Sequence, residues 1–151
     1  MPYTIEEFDV IKTKVLKYVI YKKRTENEVY TKFRGQIDED ILEDVIEDLK
    51  ENGYINDESY IEKSVNEYIA LKNLSIKEIK YKLFSKGVSK IVLEEYISNN
   101  IEKLEEYEQK SAENIVLKKS VNMDEIEIRQ YLLKKGYKED NIEDAISKIV
   151  E

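Results

Sequence analysis

The sequence predicts an all-α fold, and three observations carry that expectation. Lys, Glu, Ile, Leu, Val and Tyr dominate a chain that has one proline, at position 2, and four glycines, which leaves little material for turns. Apolar residues recur at helical spacing: Ile41, Leu42, Val45, Ile46 and Leu49 mark one face, and Ile142, Ala145, Ile146 and Ile149 another. The strict alternation of a half-buried strand is sustained nowhere. Third, a helix-start signature returns at a fixed interval. Ser75-x-x-Glu78-Ile79 is followed by Leu83 and Lys86-Gly87-Val88, and Asp124-x-x-Glu127-Ile128 by Leu132 and Lys135-Gly136-Tyr137. Ser75 and Asp124 are 49 residues apart, as are Gly87 and Gly136. A looser copy, Thr25-x-x-Glu28-Val29 and then Phe33, lies 50 residues before the second, with Gln36-Ile37 in the place of the Gly–apolar pair and Gly35 out of register.

Each signature reads as a capping box. The side-chain oxygen of Thr, Ser or Asp accepts from an orphan amide while Glu reaches back, a device worth about 1 kcal/mol. Singly each box is ordinary helix-start chemistry; the regular spacing is what defines a repeat. In the first repeat, residues 1–53, helices are expected from Phe8 to Lys23, Glu26 to Arg34 and Glu39 to Asn52. In the second, residues 54–99, they run Glu58 to Asn73, Ile76 to Lys86 and Lys90 to Ser98. In the third, residues 100–151, they run Ile101 to Lys119, Glu125 to Lys135 and Glu139 to Val150. A period near 50 residues differs from the common two-helix repeats of about 34. Three short helices bury too little alone, so the three three-helix repeats are expected to stack into an elongated, curved tandem array.

The stretch GYINDESY, Gly53 to Tyr60, marks the first boundary. Gly53 can take the left-handed conformation that ends a helix, with Tyr54 and Ile55 packing back onto it. Asp57 is expected to cap the next helix, with Glu58 opposing its dipole.

Composition removes several kinds of chemistry. Without histidine or cysteine there is no imidazole acid–base catalysis, thiol nucleophile, disulfide or ordinary zinc site. No carboxylate stands alone in an apolar, Gly-bearing loop, and neither a phosphate-binding loop nor a nucleophile elbow is present, so no catalytic, metal or cofactor residues are assigned and a non-enzyme is expected. Asp38-x-Asp40 begins like a calcium loop, but Leu42 and Glu43 stand where a ligand and the required Gly belong. No run is long enough to span a bilayer and no signal peptide opens the chain, so a cytoplasmic protein is expected.

The net charge of −8 argues against a simple nucleic-acid binder, yet charge is segregated. Residues 10–24 carry Lys12, Lys14, Lys17, Lys22, Lys23 and Arg24 with no acid; residues 72–90 carry six lysines against Glu78; residues 38–51 carry eight acids against Lys50. Of the twelve tyrosines, Tyr18, Tyr60, Tyr68, Tyr96, Tyr107 and Tyr131 lie in or beside apolar stripes and read as packing residues with their hydroxyls at the surface. Tyr81 sits among lysines.

A helix ending in Gly-Tyr-apolar-x-Asp-Glu-x-aromatic, here GYINDESY, resembles a hallmark of the RecX family of recombination regulators. YKKRTENEV (Tyr21 to Val29), IKEIKYKLFSKGVS (Ile76 to Ser89) and YLLKKGYKEDNIEDAI (Tyr131 to Ile146) resemble the family's first-, second- and last-repeat landmarks in the same order, covering most of residues 15–147. The resemblance implies tandem three-helix repeats and a regulator that binds RecA, above all the RecA filament on single-stranded DNA, and restrains its ATP hydrolysis, strand exchange and recombinational repair. The chain departs from the family in its negative charge, in Gln36 where Gly is usual, and in a basic cluster thinned to Lys72 and Lys77. These departures weigh against direct DNA contact.

On that resemblance, the filament contacts would be basic residues on and beside the short middle helices: Lys22, Lys23 and Arg24; Lys77, Lys80, Tyr81, Lys82 and Lys86; Arg129, Lys134 and Lys135. The stripe Ile76, Ile79 and Leu83 would turn Lys77, Lys80, Tyr81 and Lys82 outward. The plainer alternative is a solvated lysine face in which Lys86 and Lys135 complement helix dipoles. Gly53, Tyr54, Asp57, Gly87 and Gly136 are the expected boundary residues, and a monomer is expected. Rival readings are a helical-repeat adaptor for another protein and a weak DNA binder whose affinity would fall steeply with salt.

Overall fold

The computed structural model describes residues 2–150; the side chains of residues 149 and 150, and with them Ile149 of the expected apolar stripe, lie outside the described residues. The protein is all-α. Among the described residues nine helices follow in order: α1 Ile5–Tyr21, α2 Glu26–Phe33, α3 Glu39–Glu51, α4 Asp57–Leu71, α5 Ile76–Ser85, α6 Lys90–Asn99, α7 Ile101–Lys119, α8 Glu125–Lys135 and α9 Glu139–Val150. Only an isolated bridge between Arg34 and Ile37 departs from helix and loop among these residues. No helix among them is long and apolar enough to cross a membrane.

Local sequence explains most helix starts. Thr25, Ser75 and Asp124 all form complete capping boxes with Glu28, Glu78 and Glu127. Two starts differ from expectation. Helix α1 begins three residues early because Thr4 accepts from the Glu7 amide at 3.1 Å. Asp57 is not a cap but the first residue of α4; Asn56 caps it, accepting from the Ser59 amide at 3.1 Å. Helix α3 ends as expected at Gly53, whose φ is 80°, and the Tyr54 amide closes onto the Leu49 carbonyl at 2.9 Å. Ile55 packs back and is buried, whereas the Tyr54 ring stays 52% exposed. Asn100 ends α6 and begins α7, with its side chain turned back onto the Tyr96 carbonyl at 2.8 Å.

Buried apolar side chains form three clusters. The first runs from Val15 to Ile55 and is built on α1, α2 and α3. The second runs from Ile61 to Tyr107 and includes Ile79, Leu83 and Leu104. The third, from Ala112 to Ile146, includes Ile128, Leu132 and Tyr137. Helix α7 supplies Leu104 and Tyr107 to the second cluster and Ala112 and Val116 to the third.

Two polar joints of the same design link the successive trios of helices. At the first, the Thr25 hydroxyl accepts from the Glu28 amide and donates to the Lys86 carbonyl, both at 3.0 Å. At the second, the Ser75 hydroxyl accepts from Glu78 at 3.0 Å and donates to the Lys135 carbonyl at 2.7 Å. The N-terminus of α2 therefore meets the C-terminus of α5, and the N-terminus of α5 meets the C-terminus of α8, so opposite dipole ends face each other. An acid reinforces each joint. Asp57 accepts from the Glu26 amide at 3.0 Å and the Ser89 amide at 2.9 Å. Glu108, 51 residues later, accepts from the Ile76 amide at 2.9 Å, the Lys138 amide at 3.3 Å and the Asn141 side chain. Asp124 caps α8, accepting from the Glu127 amide at 2.9 Å.

Because Ser75 serves as cap and as donor across the joint, Ser75→Ala is expected to lower stability by about 2 kcal/mol, against about 1 kcal/mol for Asp124→Ala, which removes a cap alone. Urea unfolding of the two variants beside the parent measures the difference, and equal losses would show that the bond to Lys135 adds nothing.

Candidate partner-binding surface

The expected contact residues fall into two gatherings, one at each joint. At the first, Lys22 and Lys23 are exposed just past the end of α1, and the Lys23 ammonium reaches the Ser59 hydroxyl on α4. Arg24 is half-buried: its guanidinium lies over the Tyr18 ring at 4.0 Å from the centroid, and Tyr18 stacks edge-on with Phe33 at 5.5 Å. A cation held on an aromatic face is fixed in direction and partly desolvated. Lys86 meets this group through the bond between its carbonyl and Thr25.

At the second joint Lys77 is exposed, and the root of its side chain lies against the turn at Gly136. That places it beside exposed Lys134 and Lys135 at the end of α8. The ammonium groups of Lys119 and Lys135 lie 4.9 and 5.7 Å from the Tyr131 ring centroid.

Not all the expected residues present a free charge. Lys80 is half-buried and pairs with Glu94 on α6 at 3.5 Å. Lys82 is half-buried as well, so only Lys77 and Tyr81 of that set stand fully outward. Arg129 pairs with Glu125 at 3.1 Å and also with Glu143. For Glu94 and Glu143 the reason is geometric: α6 and α9 pack alongside α5 and α8 and bring these carboxylates within reach, which the spacing within one helix does not reveal, whereas Glu125 lies one turn back on α8 itself.

Sequence reasoning passed over Phe84. It is 59% exposed, one turn beyond Tyr81, which is 76% exposed. Lys77, Tyr81 and Phe84 follow the i, i+4, i+7 spacing of one helix face, giving α5 an aromatic strip with a cation at its N-terminal end. The available signal was Phe84 standing next to Leu83 but outside the stripe of Ile76, Ile79 and Leu83. Two further aromatic residues belong to the interior. Burial pushes the hydroxyls of Tyr107 and Tyr137 above the ordinary tyrosine range, so both stay neutral. The Tyr107 hydroxyl is not at the surface, as its place in a stripe suggested, but accepts from the Leu74 amide at 3.1 Å and lies 3.2 Å from the Tyr68 carbonyl. For Tyr107 the Leu74 amide beyond α4 and the Tyr68 and Lys72 carbonyls at its end supply the partners, whereas the buried Tyr137 hydroxyl has none among the described residues.

No protein-family model matches the chain. Individual proteins do. The regulatory protein RecX of Clostridium acetobutylicum is 30% identical over 150 residues, covering 91% of this chain and 68% of that protein. The chain belongs to the RecX family.

Other RecX relatives agree. The Finegoldia magna regulatory protein RecX is 34% identical over 93 residues, 61% of this chain and 43% of that protein. The chain spans only about half, 52%, of its Staphylococcus carnosus counterpart. In three dimensions, the crystal structure of RecX from Lactobacillus salivarius matches with a TM-score of 0.80 at 25% identity, covering 96% of this chain and 97% of that one. The all-helical architecture is thus that of solved RecX structures.

Proposed function

We propose that this RecX family member binds the RecA filament on single-stranded DNA and restrains its ATP hydrolysis and strand exchange. The observation that carries the reading is membership of a family of regulatory proteins. The surface supports it: exposed cations and the Tyr81–Phe84 strip lie on and beside the short helices α2, α5 and α8, which meet end to end. In this reading residues 1–53, 54–99 and 100–151 are three repeats, and each offers its middle helix as one contact segment. The chain performs no chemistry of its own and works in the cytoplasm. Aromatic and cationic anchors of this kind commonly dominate a protein interface. The net charge of −8 favours a protein surface over phosphate as the thing recognised.

The test is the single-stranded-DNA-dependent ATPase rate of RecA from the same organism, with and without this protein. Suppression at equimolar or lower levels is the expected result; no change in rate together with no co-sedimentation with filaments would overturn the reading. Reversing Lys77, Lys80 and Lys82 together addresses the same face, but Lys80→Glu also sets two carboxylates together beside Glu94. A cleaner variant combines Lys77→Glu, Tyr81→Ala and Phe84→Ser. It is expected to bind filaments about tenfold more weakly, on the order of 1.4 kcal/mol, with unchanged helicity by circular dichroism. Unaltered binding by this variant would remove the α5 face from the interface.

A further inference from the structure

We propose that the molecule is articulated at one of its two joints only: α1–α3 swing as a body against α4–α9, with Asp57 as the pin. Although the two joints share a design, their surroundings differ. The second is spanned by an unbroken helix, since α7 carries Leu104 and Tyr107 into one core and Ala112 and Val116 into the next. Bending there would break backbone hydrogen bonds in mid-helix, and no Pro or Gly interrupts α7 to make a kink cheap. Nothing comparable crosses the first joint. The first core ends at Ile55, in the connection after α3, and the second begins at Ile61 in α4.

Solvent makes the same distinction. Glu108 at the second joint is fully buried, whereas Asp57 at the first is half-exposed. Three open clefts surround the first joint. One of 660 Å³ is lined by Glu26, Lys50, Asp57, Ser89 and Glu95 among others; one of 520 Å³ lies on the side of Asn27, Tyr30 and Gly87; another of 520 Å³ is lined by Lys23, Ser59, Glu62 and Lys63. The contacts across this joint are polar: the Thr25 hydroxyl on the Lys86 carbonyl, the Glu26 and Ser89 amides on Asp57, and Lys23 on Ser59. Thr25 is buried, but Lys23, Glu26, Asp57, Ser59 and Ser89 are all at least partly exposed, so water can replace their bonds as they open and each resists opening with only its net worth of about 1 kcal/mol. A few loop and helix-end residues, here 52–56 and 22–25, then absorb the rotation, as hinges require.

Pulsed dipolar spectroscopy on spin-label pairs tests this, and the absence of any cysteine makes labelling clean. Glu43→Cys with Ile91→Cys spans the first joint, from α3 to α6; Ile91→Cys with Gln130→Cys spans the second, from α6 to α8. All three positions are exposed. The first pair is expected to give a distance distribution about twofold wider than the second. Equal widths, or a wider second pair, would overturn the proposal. Asp57→Asn keeps a single acceptor oxygen for two amides, so it is expected to widen the first distribution again and leave the second unchanged. A first distribution that does not respond to Asp57→Asn would remove Asp57 as the pin.

Discussion

Glu108→Ala is expected to destabilise the protein by about 4 kcal/mol, the largest loss from any single polar side chain in the molecule. Glu108 is 0% exposed, and its two carboxylate oxygens serve three donors: the amides of Ile76 and Lys138 and the Asn141 side chain. Ile76 is the first residue of α5, and Lys138 immediately precedes α9, so the acid answers orphan amides at two helix N-termini. Removing it strands those donors away from water, and each buried unsatisfied donor costs about 1–3 kcal/mol. Glu108→Gln retains the shape and one acceptor but turns an amide NH₂ toward a donor, so roughly half the loss is expected. Urea unfolding followed by circular dichroism measures both. A loss below about 1 kcal/mol for the alanine variant would mean that water enters and satisfies the stranded amides.

Gly136→Ala is the second large effect, expected at about 3 kcal/mol, against about 1 kcal/mol for Gly53→Ala. Both glycines have positive φ, 94° and 80°, and a side chain there costs about 1–2 kcal/mol. The surroundings separate them. A β-carbon on Gly53 meets nothing within 4 Å, but one on Gly136 lies 2.9 Å from the Lys77 β-carbon and 3.3 Å from the Ser75 hydroxyl oxygen. The root of Lys77 is fixed to α5 and cannot rotate away, so the second joint must open, with overpacking adding about 1–3 kcal/mol. Gly87 holds the matching place at the first joint, 2.8 Å from the Asn27 β-carbon. Melting curves of Gly136→Ala and Gly53→Ala give the comparison directly; equal shifts would show that the close approach at Gly136 carries no stability.

The features legible in the sequence were the local ones. Capping boxes at Thr25, Ser75 and Asp124 are readable because acceptor and amide lie three residues apart, so the signal does not depend on tertiary packing. The stripe of Ile76, Ile79 and Leu83 was readable for the same reason. Asp57 was misread because Asn56 and Asp57 both suit the start of a helix, and only the distant amides of Glu26 and Ser89 distinguish them. Glu108 was missed among the many acids of α7 because its partners lie about 30 residues away on either side. One clue existed. Leu104, Glu108, Ala112 and Val116 share a helical stripe, and a lone acid in such a stripe must either break the core or bind something within it. On the candidate surface, exposure of Tyr81 and Lys77 followed from helical spacing. The pairing of Lys80 with Glu94 and of Arg129 with Glu143 did not, because those acids come from neighbouring helices.

The three capping residues differ in one hydrogen atom, and that difference decides which helix starts can form a joint. Thr25 and Ser75 each have a hydroxyl proton to hand to the next helix end; Asp124 caps α8 with an acceptor oxygen and has no such hydroxyl. A head-to-tail contact that does not close on itself propagates into fibres when identical molecules meet. Were α8 to begin with Ser or Thr, its N-terminus would offer an arriving copy of the molecule the same docking end that joins α2 to α5 and α5 to α8. A carboxylate at position 124 instead meets any carbonyl brought against it with acceptor on acceptor, so this helix start cannot form the joint that Thr25 and Ser75 form.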